Sequence, residues 1–429
     1  MTTKWLGALA GAALCAFLAG PAAADDDDAK APAPKEVLKT YSDIAQAMYG
    51  DAVIGAKALQ GKVDAFLKDP TDATLADARK AWIDSRPAYQ QTEGYRFGNK
   101  SVDDLEGRVN AWPLDEGLID YVDAKYGDSS DENPYFTANV IANPKIKIGR
   151  KTVDASKITP NLLNSLQEIG EVEANVAIGY HAVEFLLWGQ DLNGTGPGAG
   201  NRPATDYVQG DGCTHGNCDR RADYLRVVSG MLVKDLQNME ALWEPKGKAR
   251  VALMKKKGAA ALAPIFTGLG SLSYGELAGE RMKLGLILHD PEEEHDCFSD
   301  NTHNSHYYDI VGMSEIWKGH YKRLDGTMVQ GPSIRDYAKA KAPEQTEKLD
   351  DLFSETLSKA QVMKDKADGG MAYDQMIGEG NAEGNKILQD VIDALVAQTH
   401  GVEAVVAKLG VKITVEGSDS LDNPEKVTQ

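Results

Sequence analysis

Apolar residues recur at steps of three and four along several long segments of the chain. The segments are Val37, Tyr41, Ile44 and Met48; Leu59, Val63 and Phe66; Leu162, Leu166, Ile169, Val176, Tyr180, Val183 and Leu187; and Ile387, Val391, Leu395, Val402, Val405 and Leu409. Such steps put apolar side chains on one face of an α-helix, and the alternating pattern of β-strands is scarce. The pattern therefore predicts an all-α protein of long antiparallel helices, including one helix over 159–191.

Helix starts and one long break divide this pattern. Thr159 followed by Pro160, and Asp290 followed by Pro291 and three acids, are typical of helix N-termini. The segment 193–221 is rich in Gly, Pro, Asn and Asp, and loops of that length are usually functional or join domains. We therefore predict an N-terminal helical-bundle domain over 36–215 and a C-terminal helical-bundle domain over 216–429.

The N-terminus has the features of an export signal. Residues 1–24 combine a lysine near the start, a short apolar run and small residues before four aspartates. This order is typical of a cleaved signal peptide, and the run is short of the ~20 residues that a membrane anchor needs. Residues 25–35 predict a flexible tether. We expect an exported protein of the periplasm or cell envelope, with outer-membrane association left open.

Charge and cysteines narrow the class of partner and the compartment. The formal net charge of -19 excludes nucleic acid as a partner, because phosphate binding needs clustered Lys and Arg. Three cysteines follow the signal, and the loop sequence CTHGNC predicts a disulfide between Cys213 and Cys218, with Cys297 free and buried. A zinc or haem site on Cys213, His215 and Cys218 does not match the usual spacings.

A histidine and a glutamate three residues apart occur at three places. The pairs are His181/Glu184, His289/Glu292 and His400/Glu403. The second contains a proline and predicts a helix start, and the third can be an exposed helix face. At the first, both side chains share one face and can converge on a cation. Gly179 precedes it, and because a mid-helix glycine costs ~1 kcal/mol relative to alanine, it indicates a packing or site role.

The stretch GYHAVEFLLWGQD, 179–191, resembles the G-x-H-x-x-E signature of the imelysin family. The stretches RVNAWPLDEGLIDYV, 108–122, and EEEHDCFSDNTHN, 292–304, are also similar to that family, in its iron-regulated branch. The resemblance implies two helical bundles packed side by side, with a site near their junction that includes Gly179, His181 and Glu184. Within or near these stretches, chemistry and position add Asp300, His303, Arg86 and Asp115 as candidate site residues.

The chemistry of this set favours metal binding over hydrolysis. A zinc peptidase needs three ligands, an open position and a general base, and no H-E-x-x-H is present. We therefore expect His181 and Glu184 to bind iron or another first-row divalent metal, zinc included, with further ligands from 290–306.

The expected role is iron acquisition or handling in the bacterial cell envelope, with an iron-uptake or envelope membrane protein as partner. The alternatives are a metal-dependent peptidase of the imelysin type, a haem-binding protein with His303 or His306 as axial ligand, and an envelope scaffold that binds partners through 193–221.

Overall fold

The computed structural model describes residues 30–127, 130, 133–148 and 151–427. The predicted signal peptide, and residues 25–29 of the predicted tether, lie outside the described residues. Residues from Ala31 onward form one compact unit. The last two residues of the predicted tether, Pro34 and Lys35, already belong to the first helix.

The first part of the described chain is helical with one small hairpin. Its elements are α1 (Pro34–Lys68), α2 (Asp72–Gln90), α3 (Lys100–Glu106), β1 (Lys145–Ile148), β2 (Lys151–Asp154), α4 (Pro160–Leu166), α5 (Tyr180–Trp188), α6 (Cys218–Trp243) and α7 (Lys248–Met254). Short 3₁₀ turns lie at Glu93–Tyr95, Glu116–Leu118, Ala124–Tyr126, Ile169–Glu171, Ala204–Tyr207 and Gly210–Gly212. Strands β1 and β2 pair antiparallel, with Lys145 opposite Asp154.

The second part is also helical. Its elements are α8 (Ala263–Ser271), a π-helical segment (Leu272–Lys283), α9 (Leu284–Leu288), α10 (Thr302–Lys318), β3 (His320–Lys322), β4 (Met328–Gln330), α11 (Ile334–Lys339), α12 (Pro343–Asp368), α13 (Tyr373–Ile377), α14 (Ala382–Leu409), α15 (Asp419–Asp422) and α16 (Pro424–Val427). Further 3₁₀ turns lie at Ala259–Leu262 and Pro291–Glu293. Strands β3 and β4 form a second antiparallel hairpin. The predicted all-α class is confirmed.

The predicted apolar faces form the core. On α1, the side chains of Val37, Tyr41, Ile44 and Met48 are all buried, as their spacing predicts. Helix α1 packs against α2 and α6, and α5 packs against both α2 and α6. Burying one such face is what stabilises an amphipathic helix, because propensity alone leaves isolated helices marginal in water.

A second group of helices is built around α14. This helix packs against α12 and the π-helical segment, and α10 contacts both α12 and α2. Contacts of α10 with α2 therefore connect the two groups of helices. Helix α6 follows residue 216 in the chain and packs against α1, so the division into domains at 215/216 stays a prediction.

The predicted helix over 159–191 is wrong. Thr159 does cap a helix, since its side chain accepts a hydrogen bond from Leu162 N, but α4 ends at Leu166. A second helix, α5, begins only at Tyr180. Between them Glu168, Gly170 and Gly179 adopt positive φ angles, which a right-handed helix cannot contain. Likewise, Asp290 caps a single 3₁₀ turn rather than a full helix.

Every helix of the described residues is too short or too polar to cross a bilayer.

Candidate metal centre

Gly179 fixes the position at which α5 begins. Its φ of +92° and ψ of -170° lie in a region that only glycine adopts readily. A Cβ atom here would come within 2.7 Å of the Val109 carbonyl oxygen, and Tyr180 N donates to that same oxygen. Gly179 is therefore the residue before the helix, not a mid-helix glycine as predicted. It lets α5 start against Val109, with His181 in the first turn.

His181 and Glu184 form a buried pair within α5. The distance from His181 Nδ1 to Glu184 Oε2 is 2.9 Å, as three-residue spacing on a helix allows. The other carboxylate oxygen, Oε1, accepts hydrogen bonds from the backbone N–H and the hydroxyl of Ser299. Glu184 thus holds one nitrogen of the imidazole. The other nitrogen, Nε2, is buried and has no hydrogen-bond partner.

His295 and Asp296 come from the segment before α10 and lie beside His181. The His181 and His295 rings meet edge to face with centroids 4.7 Å apart. One ligand atom from each of His181, His295 and Asp296 lies within 4.8 Å of the other two, and all three residues are buried. We call these three residues the His–His–Asp cluster.

Hydrogen bonds fix the carboxylate of Asp296. Its Oδ2 accepts from Asn301 Nδ2 and Ser305 Oγ, and its Oδ1 accepts from Arg86 Nη2 at 2.8 Å. A carboxylate has about four lone-pair sites. His295 Nδ1 lies 3.3 Å from the same Oδ1, so the remaining position of this carboxylate faces an imidazole of the cluster.

Arg86, a predicted site residue, lies fully buried beside this cluster. It reaches from α2, donates to Asn110 Oδ1 as well as to Asp296, and stands over the ring of Tyr180 at 4.8 Å. Burial opposes its charge, but Asp296, Tyr180 and Glu184 together outweigh burial and raise the pKa of Arg86. Burial also disfavours the charge of Asp296, and Arg86, His295 and His181 together reverse this effect and hold the pKa of Asp296 well below its usual range.

Burial sets the protonation of the other groups. It lowers the pKa of His181 to about 3, with a further contribution from the charge of Arg86. Burial and then the charge of Arg281 hold the pKa of His295 well below its usual range. Burial and repulsion by Asp296 raise the pKa of Glu184 well above its usual range. Both imidazoles of the cluster are therefore neutral at pH 7, which is the form that binds metal.

We expect the His181 ring to stay neutral at pH 5. Its folded pKa of about 3 lies below the ~6.5 of an unfolded chain, so the unfolded state binds more protons between these values. Its contribution to the free energy of unfolding is thus complete above pH 6.5 and is lost as pH falls toward 3. Nitrogen-15 NMR of the ring, assigned with His181→Gln, measures this directly. A titration midpoint of the His181 ring near pH 6.5 would contradict the buried position of this side chain.

The other predicted residues lie elsewhere. Asp115 accepts a hydrogen bond from Asn133 Nδ2. His303 lies on α10 with Nε2 3.5 Å from Asp368 Oδ1. Asp300 groups with Asp191 and Asp374 in a separate carboxylate cluster. The sequence indicated 290–306 as the source of further ligands. The residues of that segment that lie beside His181 are His295 and Asp296, whereas the predicted Asp300 and His303 lie elsewhere.

A cavity of about 240 Å³ reaches His295. Its lining includes Trp112, Arg96, Glu106, Arg281 and His295. The residues that line it do not include His303 or His306, and the haem alternative stays a prediction.

Cys213 and Cys218 form a disulfide bond in this structure, with an S–S distance of 2.03 Å. Cys297 is free and half-buried. His215 Nδ1 lies 2.7 Å from Asp206 Oδ1, so the loop is arranged around an Asp–His contact and a disulfide.

The fold and the site define the class of protein. The described chain is a helical protein with a buried histidine–carboxylate centre on a glycine-initiated helix. The family model described as Imelysin matches residues 45–402. The chain therefore belongs to the imelysin family.

Individual relatives agree with this assignment. Iron-regulated protein A of Synechococcus elongatus is 34% identical over 71 residues, which span 16% of this chain and 20% of that relative. A crystal structure described as an iron-regulated protein A precursor from Parabacteroides distasonis matches with a TM-score of 0.61 and 16% identity, over 88% of this chain and 95% of that one. An imelysin-like protein from Psychrobacter arcticum matches with a TM-score of 0.55 and 14% identity, over 89% and 98%. At these identities the two structures establish the fold alone.

Proposed function

We propose that this protein is exported and binds iron, or another first-row divalent metal, at the His–His–Asp cluster, in iron acquisition or handling in the cell envelope. The observation that carries the proposal is the Nε2 atom of His181, which is buried and lacks a partner. Leaving a buried polar atom unpaired costs about 1–3 kcal/mol. A metal ion would satisfy this atom and use the neighbouring groups.

The donor set suits a first-row metal. His181 Nε2, a nitrogen of His295 and an oxygen of Asp296 would hold the ion, and two imidazoles with one carboxylate match the preferences of iron(II) and zinc. A bound ion of this kind supplies a Lewis-acidic positive centre. The low pKa values of His181 and His295 keep their lone pairs available without removal of a proton from an imidazolium.

Glu184 has a different role in this proposal from the one expected from its spacing. Both of its oxygens are engaged, one by His181 Nδ1 and the other by Ser299. An outer carboxylate that orients a ligating histidine is a common arrangement in metal sites. We therefore infer that Glu184 positions His181 and sets its tautomer, with His181 as the direct ligand.

Arg86 limits the charge of the site. With Asp296 ionised and Arg86 protonated, these two charges cancel, and the raised pKa of Glu184 opposes a further negative charge. Affinity for a cation rises with the number of charged ligands. We therefore expect reversible binding, which suits a protein that takes up and passes on its metal. The relative named iron-regulated protein A supports iron as the ion.

Peptidase activity fits the same geometry less well. The cluster does offer three donors, which the sequence alone did not. A general base must reach the attacking water, yet the carboxylate of Glu184 is turned toward His181 Nδ1 and Ser299.

An iron-uptake or envelope membrane protein is the partner we propose for metal transfer.

The test is a titration of the metal-free wild-type protein. Calorimetry with anaerobic iron(II), and separately with zinc, should give one equivalent bound in buffer that contains millimolar calcium to fill oxygen-only sites. The absorption spectrum of the purified protein should contain no Soret band. The absence of binding by both metals would refute the proposal, and a Soret band would favour the haem alternative.

A further inference from the structure

Three carboxylates converge outside the His–His–Asp cluster. Asp191 follows the end of α5, Asp300 lies in the turn before α10, and Asp374 is in α13. One oxygen from each lies within 4.8 Å of the other two. We call Asp191, Asp300 and Asp374 the carboxylate cluster.

Buried atoms of the cluster have no partner. Asp374 is 1% exposed, and no donor meets hydrogen-bond geometry at either carboxylate oxygen, although the nearby backbone N–H groups of Gln375 and Asp374 oppose the rise of its pKa. Asp300 Oδ1 is also buried without a partner. Among the ion pairs of the described residues, none involves these three aspartates. Isolated carboxylates are expensive to bury, so Asp374 and Asp300 point to a cation as the missing partner.

The surroundings add negative charge instead of removing it. Glu294 is 1% exposed, and its Oε2 is also without a partner. Burial and then repulsion from Asp374 and Asp191 raise the pKa of Asp300 to about 7. Burial and repulsion from Asp191 raise the pKa of Asp374 to about 6. A bound cation would relieve the repulsion among these groups.

We propose that Asp191, Asp300 and Asp374 bind a hard divalent cation of the Ca²⁺ class. Calcium takes oxygen ligands at about 2.3–2.6 Å, so two of its ligand oxygens lie at most about 5 Å apart. The three carboxylate oxygens, all within 4.8 Å of one another, meet this condition. The oxygen-only donor set separates this site from the nitrogen-containing His–His–Asp cluster, because hard cations prefer carboxylates and softer ones accept imidazole.

The bound cation would connect three segments that meet beside the first site. Asp191 Oδ1 holds a turn by accepting from the backbone N–H of Asn193, and Gly200 N donates to Phe298 O. Asp300 directly follows Ser299, which holds Glu184. Calcium would therefore fix the turn that supports Glu184, and it would stabilise the fold around the metal centre.

The proposal is tested by titrating the full mature protein with CaCl₂. Wild type should bind one equivalent in calorimetry, and its midpoint of thermal unfolding should rise with calcium. Asp374→Asn and Asp300→Asn keep the side-chain shape but remove charge, and each should weaken binding at least about tenfold. Asparagine tolerates the left-handed backbone at 300, so this variant should fold.

Controls separate the two sites. Asp84→Asn, at an exposed aspartate paired with Lys80, should bind calcium as wild type does. Without calcium, Asp374→Asn should unfold at a higher temperature than wild type, because it removes repulsion. Absence of calcium binding by wild type, or wild-type affinity in both asparagine variants, would overturn the proposal without affecting the His–His–Asp site.

Discussion

Replacing His181 with alanine is expected to abolish tight binding of iron(II) and zinc. The substitution removes His181 Nε2, a buried imidazole nitrogen that the fold leaves without a hydrogen-bond partner. Loss of an outer partner of a metal ligand typically costs 10–100-fold in affinity, so loss of a direct ligand should cost more than about 100-fold. Calorimetry of the metal-free variant, with circular dichroism to verify folding, measures this effect.

Glu184→Gln gives a graded companion to this variant. It preserves side-chain shape but replaces the carboxyl group that orients His181, so affinity should fall by about 10–100-fold. His400→Ala is the matched control, because His400 and Glu403 have the same spacing and a similar Nδ1–Oε2 distance of 3.1 Å on an exposed helix face. Equal affinities in His181→Ala and His400→Ala would show that GYHAVE is an ordinary helical segment.

Gly179→Ala is expected to destabilise the fold by about 4 kcal/mol. A non-glycine residue in this backbone region costs about 1–3 kcal/mol, and the added Cβ would lie 2.7 Å from Val109 O, an overlap whose relief typically costs a further 1–3 kcal/mol. Because ordinary domains are stable by only about 5–15 kcal/mol, the effect should be plain in urea unfolding followed by circular dichroism.

Gly127→Ala isolates the steric part of this effect. Gly127 has nearly the same backbone angles, φ 91° and ψ 175°, and a Cβ atom there would meet no atom of the described residues within 4 Å. Gly127→Ala should therefore lose only the backbone contribution, and Gly179→Ala should lose clearly more. Equal losses would mean that the approach of Val109 does not require glycine at 179.

Periodicity predicted the helices well where an apolar face was long and unbroken. Val391, Leu395, Val402 and Val405 are all buried on α14, as their spacing requires. It failed over 159–191, because apolar residues at helical steps continue through a segment whose backbone leaves the helix. The sequence indicates that Gly179 is unusual, but the spacing of apolar residues does not reveal its φ of +92°. The close approach of the Val109 carbonyl explains why glycine stands at this position.

The sequence indicated part of the candidate site but not its full composition. His181, Glu184 and Arg86 do lie together, and the segment 290–306 does contribute, yet Asp300 faces a different cluster. The reason is that Ser299, Asp300 and Asn301 belong to one tight turn, and successive side chains of a turn point in different directions. Contacts between segments that are distant in the sequence decide which of these three side chains faces α5. The spacing of residues along the chain does not reveal such contacts.

The most direct test of the central claim is anomalous diffraction from crystals grown with iron(II) or zinc, collected on both sides of the metal absorption edge. The account predicts one strong peak about 2.0–2.2 Å from His181 Nε2, with His295 and Asp296 completing the protein ligands and Glu184 still bonded to His181 Nδ1. A peak only at Asp191, Asp300 and Asp374, or no peak beside His181 at full metal loading, would contradict it.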